Sequence, residues 1–344
     1  GVWLMPAISS EIYIDGQLTD YTAGNLNKAG RTTASILAFT IPGDDVSYRK
    51  LWGKEVTFYL NNSDTYPMFR GYIINTQLND DVNMRIRATD ALGFLTGRDR
   101  ARVTLDEANN IDGCTVGAAL IKMIEMSGIT KIGTDFLGDT NPIALVERER
   151  GSVFILDTIN SNLNTILNTD STTFPLNNFL GVKDDGSKSQ LYFGVDANTE
   201  TATPIKHYDY NNIISFNVQN RNIPTIITVQ GKNANATFKH TSAMNAFGEH
   251  FLNVDNKTLT SNAACMNFAQ QLFLENIRAK YEYKLETFEG AYLEENDVIS
   301  ITDNNTEVNG VFRIIGKTIN FGVGEYSLSL TINKQPPLLS QFLT

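Results

Sequence analysis

The chain is poor in the residues from which catalytic and metal centres are built, with three histidines, two cysteines and two tryptophans among 344 residues. It contains no Gly-x-Ser-x-Gly elbow, no phosphate-cradling Gly-rich loop and no Cys-x-x-Cys pair, so the usual signatures of serine hydrolases, P-loop enzymes and thiol redox sites are missing. Basic residues are scarce too. Lys and Arg number 28 against 38 Asp and Glu, a net charge of -10, and the densest basic run is Arg98, Arg100, Arg102. Such a balance disfavours a nucleic-acid clamp, which needs clustered cations to displace counter-ions from phosphate. No apolar run approaches the roughly 18 residues that a membrane helix requires. Residues 1–10 lack a charged segment followed by an apolar stretch, and the expectation is a soluble, unsecreted protein. Cys114 and Cys265 lie far apart, each beside a predicted helix, and read as reduced, buried thiols.

What is abundant is apolar and uncharged polar. Hydrophobic residues make up 42% and charged residues 19%, and plentiful Asn and Thr suit strands joined by polar turns. The length exceeds the roughly 250–300 residues at which single cores stop growing, so several domains are expected.

Residues 1–100 read as a β-domain. Ile12 and Ile14 alternate up to the turn Asp15-Gly16, Leu37, Phe39 and Ile41 alternate up to Pro42-Gly43, and Val56, Phe58 and Leu60 precede a break at Asn61–Asp64. Phe69 to Leu78 resumes the pattern, and Asn79-Asp80-Asp81 turns it into Met84, Ile86 and Ala88. Residues 101–205 read as a mixed α/β insert. Thr115 caps a helix through Val116, Leu120, Ile121 and Ile124 that stops at Gly128, Ile155, Ile159, Leu163 and Ile166 mark a second helix, and Gln190–Val195 follows the turn Asp184-Asp185-Gly186 as a strand. Residues 206–335 return to strands at Ile213–Val218, Ile223–Val229, Tyr281–Phe288, Val298–Thr302, Val311–Ile315 and Tyr326–Ile332, with one long helix capped by Ser261. Residues 336–344 form an apolar tail.

The two β-domains echo each other. Lys54–Leu60, a gap, Met68-Phe69-Arg70, a short strand, a polar turn and Met84–Thr89 run in the same order as Asn296–Thr302, a gap, Val311-Phe312-Arg313, a short strand, a Gly-rich turn and Tyr326–Ile332. The step from Val56 to Phe69 is 13 residues and from Val298 to Phe312 it is 14. The fold class expected is therefore mainly β with an α/β insert, in which two related antiparallel β-barrel domains use one architecture twice. Three such chains supply six equivalent units, enough to cap a six-fold ring.

Candidate chemical groups have simpler readings. His207 precedes a strand, and His240 and His250 fall in a polar region with Glu249; a metal site of His240, Glu249 and His250 is weaker than a solvated loop. Asp80-Asp81, Asp184-Asp185 and Glu294-Glu295-Asp297 could in principle supply a glycosidase acid pair, yet turn formation explains adjacent acids there. Val146–Gly151 (VERERG) is either a solvated segment of alternating sign or an inter-subunit salt-bridge zipper. Pro336–Leu343 is apolar enough to need covering, by its own domain or by a neighbour. Of the two tryptophans, Trp3 and Trp52, the second is flanked like a core residue, which leaves a carbohydrate-stacking module little to work with.

The order of "EIYIDGQL", "LAFTIPG", "YRKLWGKEVTFYL", "MFRGYIINTQL" and "RIRATDALGFL", and later of "YLEENDVISIT", "VNGVFRIIGKTINF" and "YSLSLTIN", resembles phage tail baseplate-hub proteins of the late-control family over roughly residues 8–100 and 205–335. The resemblance implies tail-tube-like barrels and a homotrimer forming a pseudo-six-fold ring in the tail baseplate or tip of the virion, assembled in the host cytoplasm. It implies as partners the tail tube or a distal tail protein, a tip or spike protein, and a tape-measure protein in the lumen, with DNA passing through without specific binding and no membrane span. It implies a non-enzyme with no catalytic, cofactor-binding or metal residues. The fused hydrolytic domain of some relatives is not expected, since Thr344 closely follows the last strand. The alternatives are a carbohydrate-binding tail adhesion module and a tail-associated cell-wall hydrolase.

Overall fold

The computed structural model describes residues 9–29, 33–43, 50–60, 67–80, 83–96, 102–137, 151–156, 158–159, 178–199, 201–218, 222–257, 259, 261–280, 282–304, 306, 308–322 and 325–333. The chain opens on β1 (Ser10–Ile14) and β2 (Gln17–Leu18), a hairpin turned by Asp15-Gly16. Both turn residues have positive φ, 48° and 76°. Asp and Gly tolerate that backbone, and it matches the twist of the paired strands. Strands β3 (Ala23–Ala29), β4 (Ile36–Pro42), β5 (Glu55–Leu60), β6 (Phe69–Asp80) and β7 (Asn83–Thr89) follow, and then the short helix α1 (Ala91–Thr96).

The insert packs α2 (Val116–Ser127) against the pair β8 (Arg102–Leu105) and β9 (Gly151–Phe154) and the hairpin β10 (Asn178–Asp184) and β11 (Ser189–Val195). As the sequence predicts, Thr115 accepts a hydrogen bond from the Ala118 N–H, and Gly128 closes the helix in the left-handed region. Leu120, Met123, Ile155, Ile159, Leu180 and Leu191 share one buried cluster. Leu163 and Ile166 lie outside the described residues.

The last third contains β12 (Lys206–Tyr208), β13 (Ile213–Val218), β14 (Ile226–Gln230), β15 (Asn235–Lys239), α3 (Thr241–Phe247), β16 (Phe251–Asp255), α4 (Asn262–Lys280), β17 (Glu282–Thr287), β18 (Val298–Asp303), β19 (Val308–Gly322) and β20 (Glu325–Asn333). Ser261 caps α4 through the Ala264 N–H. Here the structure adds what the sequence pattern does not reveal: β14, β15 and β16 form a separate three-stranded sheet, covered by α4 around Ile227, Val229, Phe273 and Cys265. Its outer strands are only half-buried and carry Asn, Thr and Lys, so their alternation is faint.

One sheet of 13 strands holds everything else, in the order β13-β17-β20-β19-β3-β4-β7-β6-β5-β1-β2, with β18 beside the first part of β19 and β12 beside β18. The same meander occurs twice within it. β3-β4-β7-β6-β5 and β13-β17-β20-β19-β18 have the same neighbours, all antiparallel. Even an irregularity is repeated. In β6 the ladder to β7 skips Ile74, after Ile73↔Ala88, and in β19 the ladder to β20 skips Ile315, after Ile314↔Ile332. The repeat stops at the edge, where β1 runs antiparallel to β5 but β12 runs parallel to β18.

Aligned on the skipped residues, Glu55↔Tyr72 corresponds to Val298↔Arg313. The two Phe-Arg pairs of the sequence echo are thus not equivalent, because the loop before β6 differs in length from the one before β19. Strand alternation fixes the matter, since Val56 and Phe58 face the core in the first unit while Ile299 and Ile301 do so in the second.

The units meet along β19 and β3, from Gly316↔Ala29 to Gly322↔Ala23. A single hydrophobic cluster runs through the joint, and Phe58 of one unit stacks on Phe321 of the other at 4.4 Å between centroids. Gly24 lies directly opposite Phe321, whose ring occupies the place that a Cβ on residue 24 would take.

Candidate assembly surface

Partners opposed across a ladder point to the same side of a sheet, so the register identifies a complete face. Opposite the core, the shared sheet presents Asn25, Asn27, Thr318, Asn320, Ser327 and Ser329 across the joint. Asn25 donates to Asn320, and Asn320 to Ser327. Charges on this face stand away from those six residues: Arg85 and Arg87 on β7, Glu282, Lys284 and Glu286 on β17, and farther out Glu11, Glu55, Arg70 and Arg313. The overall acidic excess is not concentrated here.

Among the strand edges left bare in the described residues, two on the shared sheet carry exposed large apolar side chains. β5 covers β6 only from Phe69 to Tyr72, and beyond that Ile74 and Leu78 are 39% and 50% exposed. β13 pairs with β17 alone, and Ile214 on it, together with Tyr210 and Phe288 at its end, is exposed. The turn holding Tyr210 is tied to β17 by the Thr287 hydroxyl, which donates to the Asn212 carbonyl at 2.7 Å. An unpaired edge with large apolar side chains and no interrupting Pro or Lys is a template for another strand.

The insert is fastened to both units by buried arginines. Arg70 donates through Nε to Asp184 at 2.6 Å, through Nη1 to Glu55 at 2.7 Å and through Nη2 to the Gly186 carbonyl at 3.0 Å. Arg313 pairs with Asp196 at 3.2 Å, both almost wholly buried. Near the joint, the Lys317 ammonium donates to the carbonyls of Ala291 and Leu293 and to Glu294, which also receives Lys28 at 2.8 Å. Burial pushes Lys317 down to about 8, and Lys28 adds like-charge repulsion that Glu294 opposes.

Several acids singled out in the sequence do converge. Asp184, Asp185, Glu294, Glu295 and Asp297 line one cleft of about 970 Å³ between β10–β11, the start of β6 and the turn before β18. Their hydrogen bonds are those of turns and ion pairs: Asp185 is held well below the usual carboxylate range by Gln190 and the N–H groups of Lys188 and Ser187, Asp184 serves Arg70, and Asp297 accepts from the Glu294 N–H. Asp81 lies outside the described residues.

The histidine expectations need correction. His240 is not in a solvated loop; it is buried, caps α3 by accepting the Ala243 N–H on Nδ1, and stacks on Phe273 at 4.5 Å. That bond occupies Nδ1, and burial lowers the ring's proton affinity. His250 Nε2 lies 3.0 Å from the Phe247 carbonyl, and His207 belongs to β12, against Ser300. Among the described residues no three His, Cys, Asp or Glu side chains gather as metal ligands. Trp52 is also corrected, from core to surface: it is 55% exposed at a turn, where Gly53 (φ 77°) sends the chain back toward Ile73. Cys114 and Cys265 are free thiols, the second buried. Val146–Arg150, Trp3 and Pro336–Leu343 lie outside the described residues.

No protein-family model matches the sequence, and neither does any curated protein. Solved structures do match in shape. A tail protein from Neisseria meningitidis MC58 superposes with a TM-score of 0.68 at 12% identity, over 96% of this chain and 97% of that one. The 43 kDa tail protein of prophage MuSo2 from Shewanella oneidensis gives 0.62 at 11% identity, over 94% and 97%. The E. coli c3393 protein, a type VI secretion component with structural similarity to the T4 tail proteins gp27 and gp5, gives 0.55 at 10% identity, over 95% and 79%. From end to end, with its doubled meander and the insert between, this chain has the fold of those tail proteins.

Proposed function

We propose that the protein is a structural subunit of a phage-type tail, a baseplate or tail-tip hub of which three copies close into a ring. The carrying observation is the doubled meander: two units of one strand order share one sheet, so three chains would supply six similar sides, 3 × 2 = 6, to a six-fold tube. Likeness in fold to tail proteins over nearly their whole length supports the same reading.

In this reading the polar sheet face surrounds the channel. Asn, Ser and Thr side chains, of which Asn25, Asn320 and Ser327 are bonded in a row, offer a passing chain or duplex neither clustered cations nor an apolar patch to cling to. Low adhesion then comes from uncharged polarity rather than from the acidic excess. The ring would join the tail tube or a distal tail protein on one side to a tip or spike protein on the other, with a tape-measure protein in the lumen and DNA passing without specific binding. No chemistry is required of it, and its place is in the tail of an assembled particle.

Light scattering of the purified chain, followed by averaged electron micrographs, tests the reading. The expected result is a mass of three chains and a ring with six-fold inner symmetry. A stable assembly of two or four chains, or a three-chain particle without a central channel, would count against it.

A further inference from the structure

We infer that the ring closes by strand pairing between the bare edge of β6 in one copy and β13 in the next, in the same arrangement that β19 and β3 adopt inside each chain. The inference deepens the ring reading above and rests on it. The joint within the chain supplies the template. There the second half of β19, beyond the skipped Ile315, takes β3 as its neighbour. By position in the repeated meander, β6 is the counterpart of β19 and β13 that of β3, and both counterpart edges are unpaired among the described residues.

Burial at equivalent positions says the same. Counting from the skipped residue, Leu78↔Met84 corresponds to Ile319↔Leu328. Ile319, covered by β3, is 0% exposed, whereas Leu78 is 50% exposed. That is the difference a missing neighbour strand produces. The two bare edges do not pair within one chain: seven strand spacings of about 4.8 Å lie between β13 and β6 along the sheet. A second copy is therefore the occupant. The contact is heterologous, and with the rotation of the six-fold tube it closes into a ring.

The register carries over as far as Leu78; beyond it the ladder to β7 skips Asn79, a second irregularity that β19 does not have. Leu26, opposite Ile319, corresponds to Val218 through their partners Leu37 and Tyr283, which face Ala88 and Ile332. Leu78 then lies opposite Val218 of the next copy.

Directly opposed antiparallel residues have Cα atoms about 4.5–5.5 Å apart, within disulfide range. Mixing Leu78→Cys protein with Val218→Cys protein under mild oxidation should give covalent dimers, and neither variant alone should. The double variant should give a ladder that stops at three chains. A three-chain particle that forms no such cross-link overturns the strand pairing but leaves the ring standing; a monomer that forms none at any attainable concentration overturns both. Leu78→Glu provides the independent check. It should weaken self-association at least tenfold while leaving the melting of the dissociated chain unchanged, and an unaltered mass distribution would rule the pairing out.

Discussion

Asp90 caps α1 from a position that water scarcely reaches, accepting the N–H groups of Ser35 at 2.8 Å and Gly93 at 3.3 Å. Burial pushes its carboxyl up to about 6, although those hydrogen bonds act the other way. The folded state therefore holds a proton between about pH 4 and pH 6 that the unfolded chain has released. Stability from this group is complete below about pH 4 and declines as pH rises through 6. In Asp90→Asn the decline should vanish, so the variant gains on the natural protein by up to about 3 kcal/mol between pH 4 and pH 7. Denaturant midpoints at the two pH values measure this, and a constant gap between the proteins would dispose of it. Residues acting on their own neighbours are the ones legible in sequence: Asp15-Gly16, Thr115, Gly128 and Ser261 all occupy the turn or cap their chemistry predicts. Asp90, Arg70 and His240 also take partners 55, 114 and 33 residues away, and although Asp90 and His240 cap the helices that follow them, no local pattern marks those distant contacts.

At the scale of strands, glycine and aromatic residues work as pairs. Besides Gly24 under Phe321, Gly194 lies under Phe179 and Gly181 under Tyr192, each directly across a ladder. Putting a methyl group at residue 24 would lift Phe321 off Phe58 at the joint. Gly24→Ala should cost about 1–3 kcal/mol, the usual range for overpacking. Near-ultraviolet dichroism should change along with the lowered melting temperature, and a variant as stable as the parent would show that the ring has room to move. The strands themselves were readable where one face is buried and the other wet, as in β20 with Leu328, Leu330 and Ile332 inside. Their order was readable only in part: β5, β6 and β7 lie side by side as they follow in sequence, but β4 pairs with β7 and β1 with β5, and nothing marked β3. The exact correspondence of the copies was not readable, since it is set by a skipped residue in the ladder rather than by similar letters. Nor was the pairing of β3 with β19, because residues nearly the whole chain apart leave no periodic trace of their meeting. The sheet of β14–β16 went unread for a third reason, its half-exposed outer strands.

Taken whole, the molecule carries a net charge of -10, so a three-chain ring carries -30, or 3 × -10. Subunits of like sign repel at long range, and the edges proposed to join them are apolar and backbone-rich. Raising salt from roughly 0.01 M to 0.1 M shortens the Debye length from about 30 Å to about 10 Å. Self-association should tighten over that range, as read by sedimentation; loosening would mean that attractive charge pairs hold the copies together.

The small sheet of β14–β16 and its helices sits between β13 and β17, whereas the corresponding strands β3 and β4 are joined by a short connector. Only one unit in two is so decorated. Anything enclosed by a closed assembly of three would meet a hexagon, while anything docking on its rim would meet a triangle, with three alternate handles to grip.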